Sequence, residues 1–571
     1  MTAALPELTR RERDVLVALC RPALDGEIFT GPATVREIAA ELVVTDAAVK
    51  QHLLHLYDKF EIPADGPNRR TALAREAIRR NVIDLTDLRA APPLRVDDEA
   101  TLTAGRAAYE ARDWDTAFDL LGGADSREPL EASDLERLAD AGMWTNHHEQ
   151  SLECKRRAHQ AHLRAGDAVA AAAVALMLAL HHWTRREIAV AEGWLAKAER
   201  ELEPTPDAPP QALLAIARAM WAEADSDWAA VLGLARQAHA AARSHGIADL
   251  EALGYAFEGL ALTQMGEVAA GMRLLDEAMA SALGGALGPL ATGAIYCRML
   301  CACVDLQDFG RADEWTAAVS DRASMPGLSG LPGDCRTHRA AVLVRSGAWE
   351  EGAVEAERAV EEASRFDLSH QGIAFSELAE IRLRQGDLDA AESALLRARE
   401  FGDSAVEPCL TLLRVARGDL AGARIGIDAA LVAASARLHR ARLLPASVEV
   451  SLLAGDVEAA AGASAELGEI ASSYGSATLR AAARQAAGAV ALASGDREAA
   501  VAHLVAAKTL WHEAHAPYER AQARALLAEA YRALGDRESS LVEQRTAHAV
   551  FEQLGAEPAA AACAMRLQEL A

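Results

Sequence analysis

Apolar positions in the first 85 residues recur every three to four places, in four separate runs. Val15, Leu16 and Leu19 make the first, Val35, Ile38 and Leu42 the second. Val49, Leu53, Leu56 and Phe60 make the third, and Leu73, Ala77 and Ile78 the fourth. This spacing predicts four amphipathic helices. The first two open on capping boxes, Thr9-x-x-Glu12 and Thr34-x-x-Glu37, in which each side chain satisfies the other residue's backbone N–H. A short Val43–Val44 turn leads to Thr45, a good cap for the third helix, and the fourth starts near Asn68. Two short helices joined by three or four residues are the helix-turn-helix arrangement.

Beyond "AAPPLRVDDEA" (90–100) the pattern changes. Paired prolines stop a helix, so the domain boundary is placed near Pro92–Pro93, with a head over 1–92 and a second region over 93–571. In the second region a helical stretch ends in Gly, Asp follows, and small residues come four to five places after the Gly. The instances are "GDLDAA" from Gly386, "GDLAGA" from Gly418, "GDVEAA" from Gly455, "GDREAA" from Gly495 and "GDRESS" from Gly535. Looser copies begin at Gly266 and Gly347. The intervals from Gly347 onward are 39, 32, 37, 40 and 40 residues. Two helices per period of this length are the mark of a tetratricopeptide-type array. Gly is expected in the left-handed conformation that ends one helix, Asp as the cap of the next, and the small residues at the crossing. About ten to twelve hairpins would fill residues 96–571. The fold class is thus all-α, a helix-turn-helix head followed by an α-solenoid whose stack curves around a concave surface.

Composition agrees. Half of the 571 residues are apolar but only 4% are aromatic, so Ala and Leu carry the apolar fraction. That suits closely packed helices and disfavours a sheet protein. The formal charge of −26 is unevenly placed: residues 1–95 hold 14 basic and 14 acidic side chains, so all of the excess acid lies beyond them. An acidic array repels nucleic acid, and only the neutral head is a candidate for touching DNA, through a local patch.

None of the eight cysteines forms a C-x-x-C pair. Cys297 and Cys301 share a helix face, with Cys303 close by, but no His or second Cys pair completes a zinc set, so they are read as buried free thiols in a reducing compartment. His159 and His162 share a face without a third ligand at suitable spacing, and no metal or cofactor is expected. Trp114, Trp228, Trp315 and Trp349 follow helix turns and are read as fillers between hairpins. The N-terminus has acidic residues where a signal peptide needs an apolar run, and Ala168–Leu180 is too short to span a bilayer. The expectation is a cytoplasmic protein without a membrane partner.

The outward face of the third helix holds Ala47, Lys50, Gln51, Leu54 and Asp58. Gln bonds adenine bidentately, Lys bonds guanine or phosphate, and Arg69 and Arg70 at the start of the fourth helix are placed to grip phosphates. The residues alone leave a plain helical bundle with a solvated face equally open. "LTRRERDVLVAL", "VREIAAELVVTDAAVKQHLLHLYDKFEI" and "NRRTALAREAI" together resemble the LuxR-type DNA-binding domain over about 75 residues. The form with about nine extra residues between the first two helices, "LDGEIFTGP", resembles helix-turn-helix segments found beside forkhead-associated domains. The resemblance implies groove-facing roles for Lys50 and Gln51, with Thr45 and Arg69 near phosphates. Leu54 departs from the family, whose members often carry Lys there, and the head stands first in the chain where the family usually places it last.

The array resembles the repeat region of MalT-like regulators, which receives a partner protein or small inducer. Their ATPase module has no counterpart, since no G-x-x-x-x-G-K-[ST] occurs. The reading is a non-enzymatic, DNA-binding transcriptional regulator. Its head meets double-stranded DNA as a homodimer on paired half-sites, and its array senses a protein or small-molecule effector. The alternative is a protein-interaction scaffold in which the helix-turn-helix serves as a docking domain.

Overall fold

The computed structural model describes residues 8–20, 32–42, 44–60, 62–63, 69–80, 82–83, 98–320, 334–366, 371–401 and 406–570. Among these residues every regular element is an α-helix. The head contains α1 (Arg10–Cys20), α2 (Val35–Leu42), α3 (Asp46–Lys59) and α4 (Arg69–Arg79). Both capping boxes form: Thr9 N donates to Glu12 Oε2 at 2.8 Å and Glu12 N to Thr9 Oγ1 at 3.3 Å, and the Thr34/Glu37 pair does the same at 2.6 and 3.2 Å. Val15, Leu16, Leu19, Ile38, Val49, Leu53, Leu56, Phe60, Leu73 and Ala77 make one buried core, so the helical periodicity places the inward faces correctly. Ile78 points outward, and Ile83 joins the core instead.

The proposed boundary near Pro92–Pro93 lies outside the described residues. The chain divides into two compact units, Met1–Ala158 and His159–Ala571, the division falling within the helix His148–Arg164. The first unit holds the head and the opening helices of the array.

Among the described residues, Asp98–Glu110 to Glu557–Leu570 comprise twenty-five helices, twelve pairs and a closing helix. The turns have the expected chemistry. Gly386, Gly418, Gly455, Gly495 and Gly535 all have φ between 76° and 89°, the left-handed conformation that stops a helix. The following Asp accepts from the backbone N–H three residues on: Asp387 from Ala390 at 3.1 Å, Asp456 from Ala459 at 3.0 Å, Asp496 from Ala499 at 3.1 Å. Five places after each Gly stands a small residue, Ala391, Ala423, Ala460, Ala500 or Ser540, at most 1% exposed, where the two helices cross. Arg112, Arg186, Ser226 and His515 adopt the same left-handed turn, a regularity that no Gly in the sequence signals.

The second unit does not stay open. Helix Pro289–Leu306 touches Arg437–Leu453, Asp334–Ser346 touches Pro517–Leu534, and Gln371–Gln385 touches Glu557–Leu570. Tyr474 Oη donates to the Gln264 carbonyl at 2.7 Å, and Thr478 Oγ1 to that of Gln307 at 2.6 Å. The expected concave surface is therefore partly closed by the chain's own later hairpins. Gly347 sits in such a contact: a Cβ there would lie 2.8 Å from Leu554 and 2.9 Å from Pro517.

Helix Pro289–Leu306, 18 residues with mean hydropathy 1.3, is long and apolar enough to cross a bilayer, but half of it is buried. It also carries Arg298 and Asp305, which bond within the array, as a core helix of a repeat protein does.

Two glycines test the turn. Gly495→Ala forces a Cβ into the left-handed region and is expected to destabilise the protein by ~1–2 kcal/mol. Gly462→Ala, in an exposed helix interior with nothing within 4 Å, is expected to stabilise it by ~0.5–1 kcal/mol. Urea midpoints of the two variants should move in opposite directions.

Candidate functional site

Two places collect polar residues of functional interest: the outward face of α3 and the inner seam of the second unit.

On the head, Thr45 caps α3, its Oγ1 accepting from Ala48 N at 3.2 Å. Lys50, Gln51 and Asp58 are exposed, and Leu54 lies among them 54% exposed. Ala47 lies on α3, but its side chain is outside the described residues. The two arginines are engaged within the head. Arg69 lies over the Tyr57 ring at 4.1 Å, its Nη2 donating to the Ile62 carbonyl at 3.3 Å. Arg70 Nη1 donates to the Ala33 carbonyl at 3.1 Å, joining α4 to the segment before α2. Lys59 pairs with Glu12 at 2.7 Å, and Arg79 and Arg80 share Glu76. Lys59, Arg69 and Arg70 thus tie elements of the bundle together, while the Glu76 pairs lie along α4 itself.

The inner seam of the second unit is built by helices Asp334–Ser346, Gln371–Gln385 and Pro517–Leu534. Arg345 grips Glu380 with both guanidinium nitrogens, one at 2.6 Å. Arg384 donates to Glu380 at 2.6 Å and to Glu519 at 2.8 Å, across 135 residues of chain. Its guanidinium also lies over the Tyr518 ring at 4.3 Å. Burial alone would raise the Glu380 carboxyl, but Arg345 and Arg384 outweigh it and hold the group down to about 2. Glu377, one turn earlier, is pushed up by burial and by the Glu380 charge beside it. Glu377 Oε2, Arg384 Nη1 and Glu519 Oε2 are buried with no hydrogen-bond partner among the described residues. The seam is therefore both clamp and incompletely satisfied polar surface.

One repeat earlier the seam changes chemistry. Glu223 pairs with Arg298 at 3.0 Å, and Arg298 lies over Phe257 at 3.7 Å. Asp305 accepts from Gln264 Nε2 at 2.6 Å. Beside them Cys301 Sγ stands 3.1 Å from His338 Nε2, and with Cys297 these three ligand atoms lie within 4.8 Å of one another. The hydrogen bond from the Cys301 thiol, with His338 alongside, holds Cys297 far below the usual thiol range, while Cys301 is pushed up. Of the three cysteines expected to be buried, Cys303 alone is fully so. The sequence places no histidine near the two cysteines; the fold supplies one from the next hairpin. The signal was present in the spacing, since 37 residues from Cys301 to His338 is close to one repeat and so returns to the same face of the neighbouring inner helix.

Two of the histidines paired in the sequence have structural partners. His159 bonds Glu201 at 3.0 Å, and His182 bonds Glu187. Trp349 is buried and donates to the Val344 carbonyl at 3.0 Å, while Trp114 stacks on Trp144 at 6.0 Å, so both fill space between helices. A solvent-open recess of about 220 Å³ is lined by Ala528, Glu529, Arg532, Ser540, Gln544, Arg566 and Glu569.

Breaking one partner of the seam leaves an uncompensated charge. Arg345→Met is expected to cost ~3 kcal/mol, and the double variant Arg345→Met/Glu380→Leu to regain most of it. Because Glu380 is depressed in the folded state, its contribution is present above the unfolded carboxylate range and is lost as pH falls through ~4 towards about 2. Wild-type melting temperature should drop over that window, more steeply than in the double variant.

No protein-family profile and no curated protein matches this chain. Among solved structures, the crystal structure of the APC/C hetero-tetramer Cut9–Hcn1 is similar at 11% identity, covering 82% of this chain and 97% of that one, with a TM-score of 0.34. That overlap is too loose to carry function. The assignment to tetratricopeptide-like hairpins rests on the paired helices, their period and their turns.

Proposed function

We propose that this chain is a non-catalytic protein-interaction scaffold of the cytoplasm, in which the hairpin array receives a polypeptide partner and the head is a second docking module. The observation that carries this reading is the use of Arg69 and Arg70. DNA affinity is dominated by cations that neutralise phosphates, yet these two side chains are turned to Tyr57 and to the backbone of Ile62 and Ala33. The same face presents Leu54, an exposed apolar side chain that a groove-reading helix does not need and a protein interface does. The array adds a strongly acidic surface, unsuited to nucleic acid, and an inner seam with unpartnered carboxylate and guanidinium atoms that suit peptide groups.

The second reading keeps the LuxR-type resemblance: a DNA-binding regulator, dimeric on its site, with an effector held by the array. It is favoured by the Thr45-capped α3, whose exposed Lys50 and Gln51 have the chemistry of base readers.

Two measurements separate the readings. Full-length protein is mixed with a random duplex library over a salt series, beside a Lys50→Ala/Gln51→Ala variant. Docking predicts no enriched motif and only weak, sequence-independent retention; a motif enriched by the wild type and lost in the variant would establish the regulator instead. A photo-crosslinking residue at position 54 should trap one protein partner, and Leu54→Arg should weaken that complex at least ~10-fold, the equivalent of 1.4 kcal/mol.

A further inference from the structure

We infer that Cys297, Cys301 and His338 form a binding site for a thiophilic divalent cation of the zinc class. The three residues come from two inner helices of successive hairpins, Pro289–Leu306 and Asp334–Ser346. Cys297 and Cys301 are one helical turn apart, which puts both sulfurs on one face. Their ligand atoms and the His338 nitrogen lie within 4.8 Å of one another, with Cys301 Sγ and His338 Nε2 at 3.1 Å. Zinc takes sulfur at ~2.3 Å and imidazole nitrogen at ~2.0 Å in a tetrahedron, so its ligand atoms stand roughly 3.5–3.8 Å apart. Small side-chain rotations bring the present cluster to that geometry without moving the helices.

The surroundings fit a cation. Sulfur ligates as the thiolate, so Cys297 and Cys301 each give up a proton on binding. Asp305, one turn after Cys301, accepts from Gln264, and Glu223 pairs with Arg298 of the same helix, so carboxylates lie in the surroundings of the cluster. All three ligand residues are partly exposed, which leaves an entry path and room for water as the fourth ligand. Binding exchanges cation for protons: the two thiol protons leave to solvent and both sulfurs become ligands. The bound ion would link the inner helices of two adjacent hairpins. This inference does not depend on what the array or the head binds.

The test uses full-length protein, stripped of metal with a chelator and kept reduced, titrated with cobalt(II) chloride. One equivalent should produce thiolate-to-cobalt charge transfer in the near ultraviolet and the red absorption of tetrahedral cobalt, and zinc(II) chloride should displace both. Cys297→Ser and Cys301→Ser should each lose the charge-transfer band, and His338→Ala should bind cobalt at least ~10-fold more weakly, whereas Cys409→Ser, elsewhere in the unit, should keep wild-type behaviour. A measurement on the wild type alone guards against unfolding of the variants: zinc should slow alkylation of Cys297 and Cys301, followed by peptide mass spectrometry, without slowing that of Cys409. No thiolate band in the wild type, an undiminished band in folded Cys297→Ser, or alkylation indifferent to zinc would each overturn the assignment.

Discussion

A helical hairpin of some forty residues has more apolar surface than its single internal crossing can cover, and the rest of this protein follows from that shortfall. The crossing itself is tight because a small residue stands five places after each turn glycine, fully buried at Ala391, Ala423, Ala460 and Ala500. The remaining apolar faces must be covered by the next hairpin, which fixes the stacking direction. The turn enforces the arrangement: a left-handed residue ends one helix, and an aspartate carboxylate caps the next within two positions. Little of the chain is left to loop, so errors of register cannot be absorbed there.

Stacking in this way puts the first helix of every hairpin on the inside, and in the second unit the inner faces meet residues far along the chain. Apolar faces alone would make such a meeting slippery. Here it is keyed by charge. Arg384 joins Glu380 on its own helix to Glu519, and Arg345 holds the same Glu380 from the preceding hairpin. Desolvating these groups is costly, and the attraction between them roughly offsets that cost, so the seam contributes specificity of packing more than net stability. In this register Arg345, Arg384, Glu380 and Glu519 are all engaged, and a slipped stack would leave a guanidinium or carboxylate buried alone.

The same inner position accounts for both the docking proposal and the cation site. Side chains there are surrounded by protein, and polar atoms of Glu377, Arg384 and Glu519 stay buried without a hydrogen-bond partner among the described residues. One repeat earlier the seam turns from carboxylates and guanidiniums to sulfur and imidazole, a change from chemistry that grips peptide groups to chemistry that grips a soft cation. The head follows a different economy. It is a small bundle with its own core, tied by Lys59, Arg69 and Arg70, and its α3 carries a mixed face of Lys50, Gln51 and Leu54.

Local rules carried the sequence far. Helix starts at Thr9, Thr34 and Thr45, the inward faces of the head, the Gly-Asp turns and the number of hairpins all depend on residues within a few places of one another, so they are legible along the chain. The repeat length even placed His338 opposite Cys301, though only for a reader who counts in hairpins and not in residues. What the sequence could not decide are contacts whose partners lie tens to hundreds of residues apart. The turning of Arg69 and Arg70 into the head, the closure of Gln264 on Tyr474, and the pairing of Arg384 with Glu519 depend on how the stacked elements curve back towards each other. That curvature is the sum of small crossing angles over many helices, set by packing at every interface at once and written in no single motif.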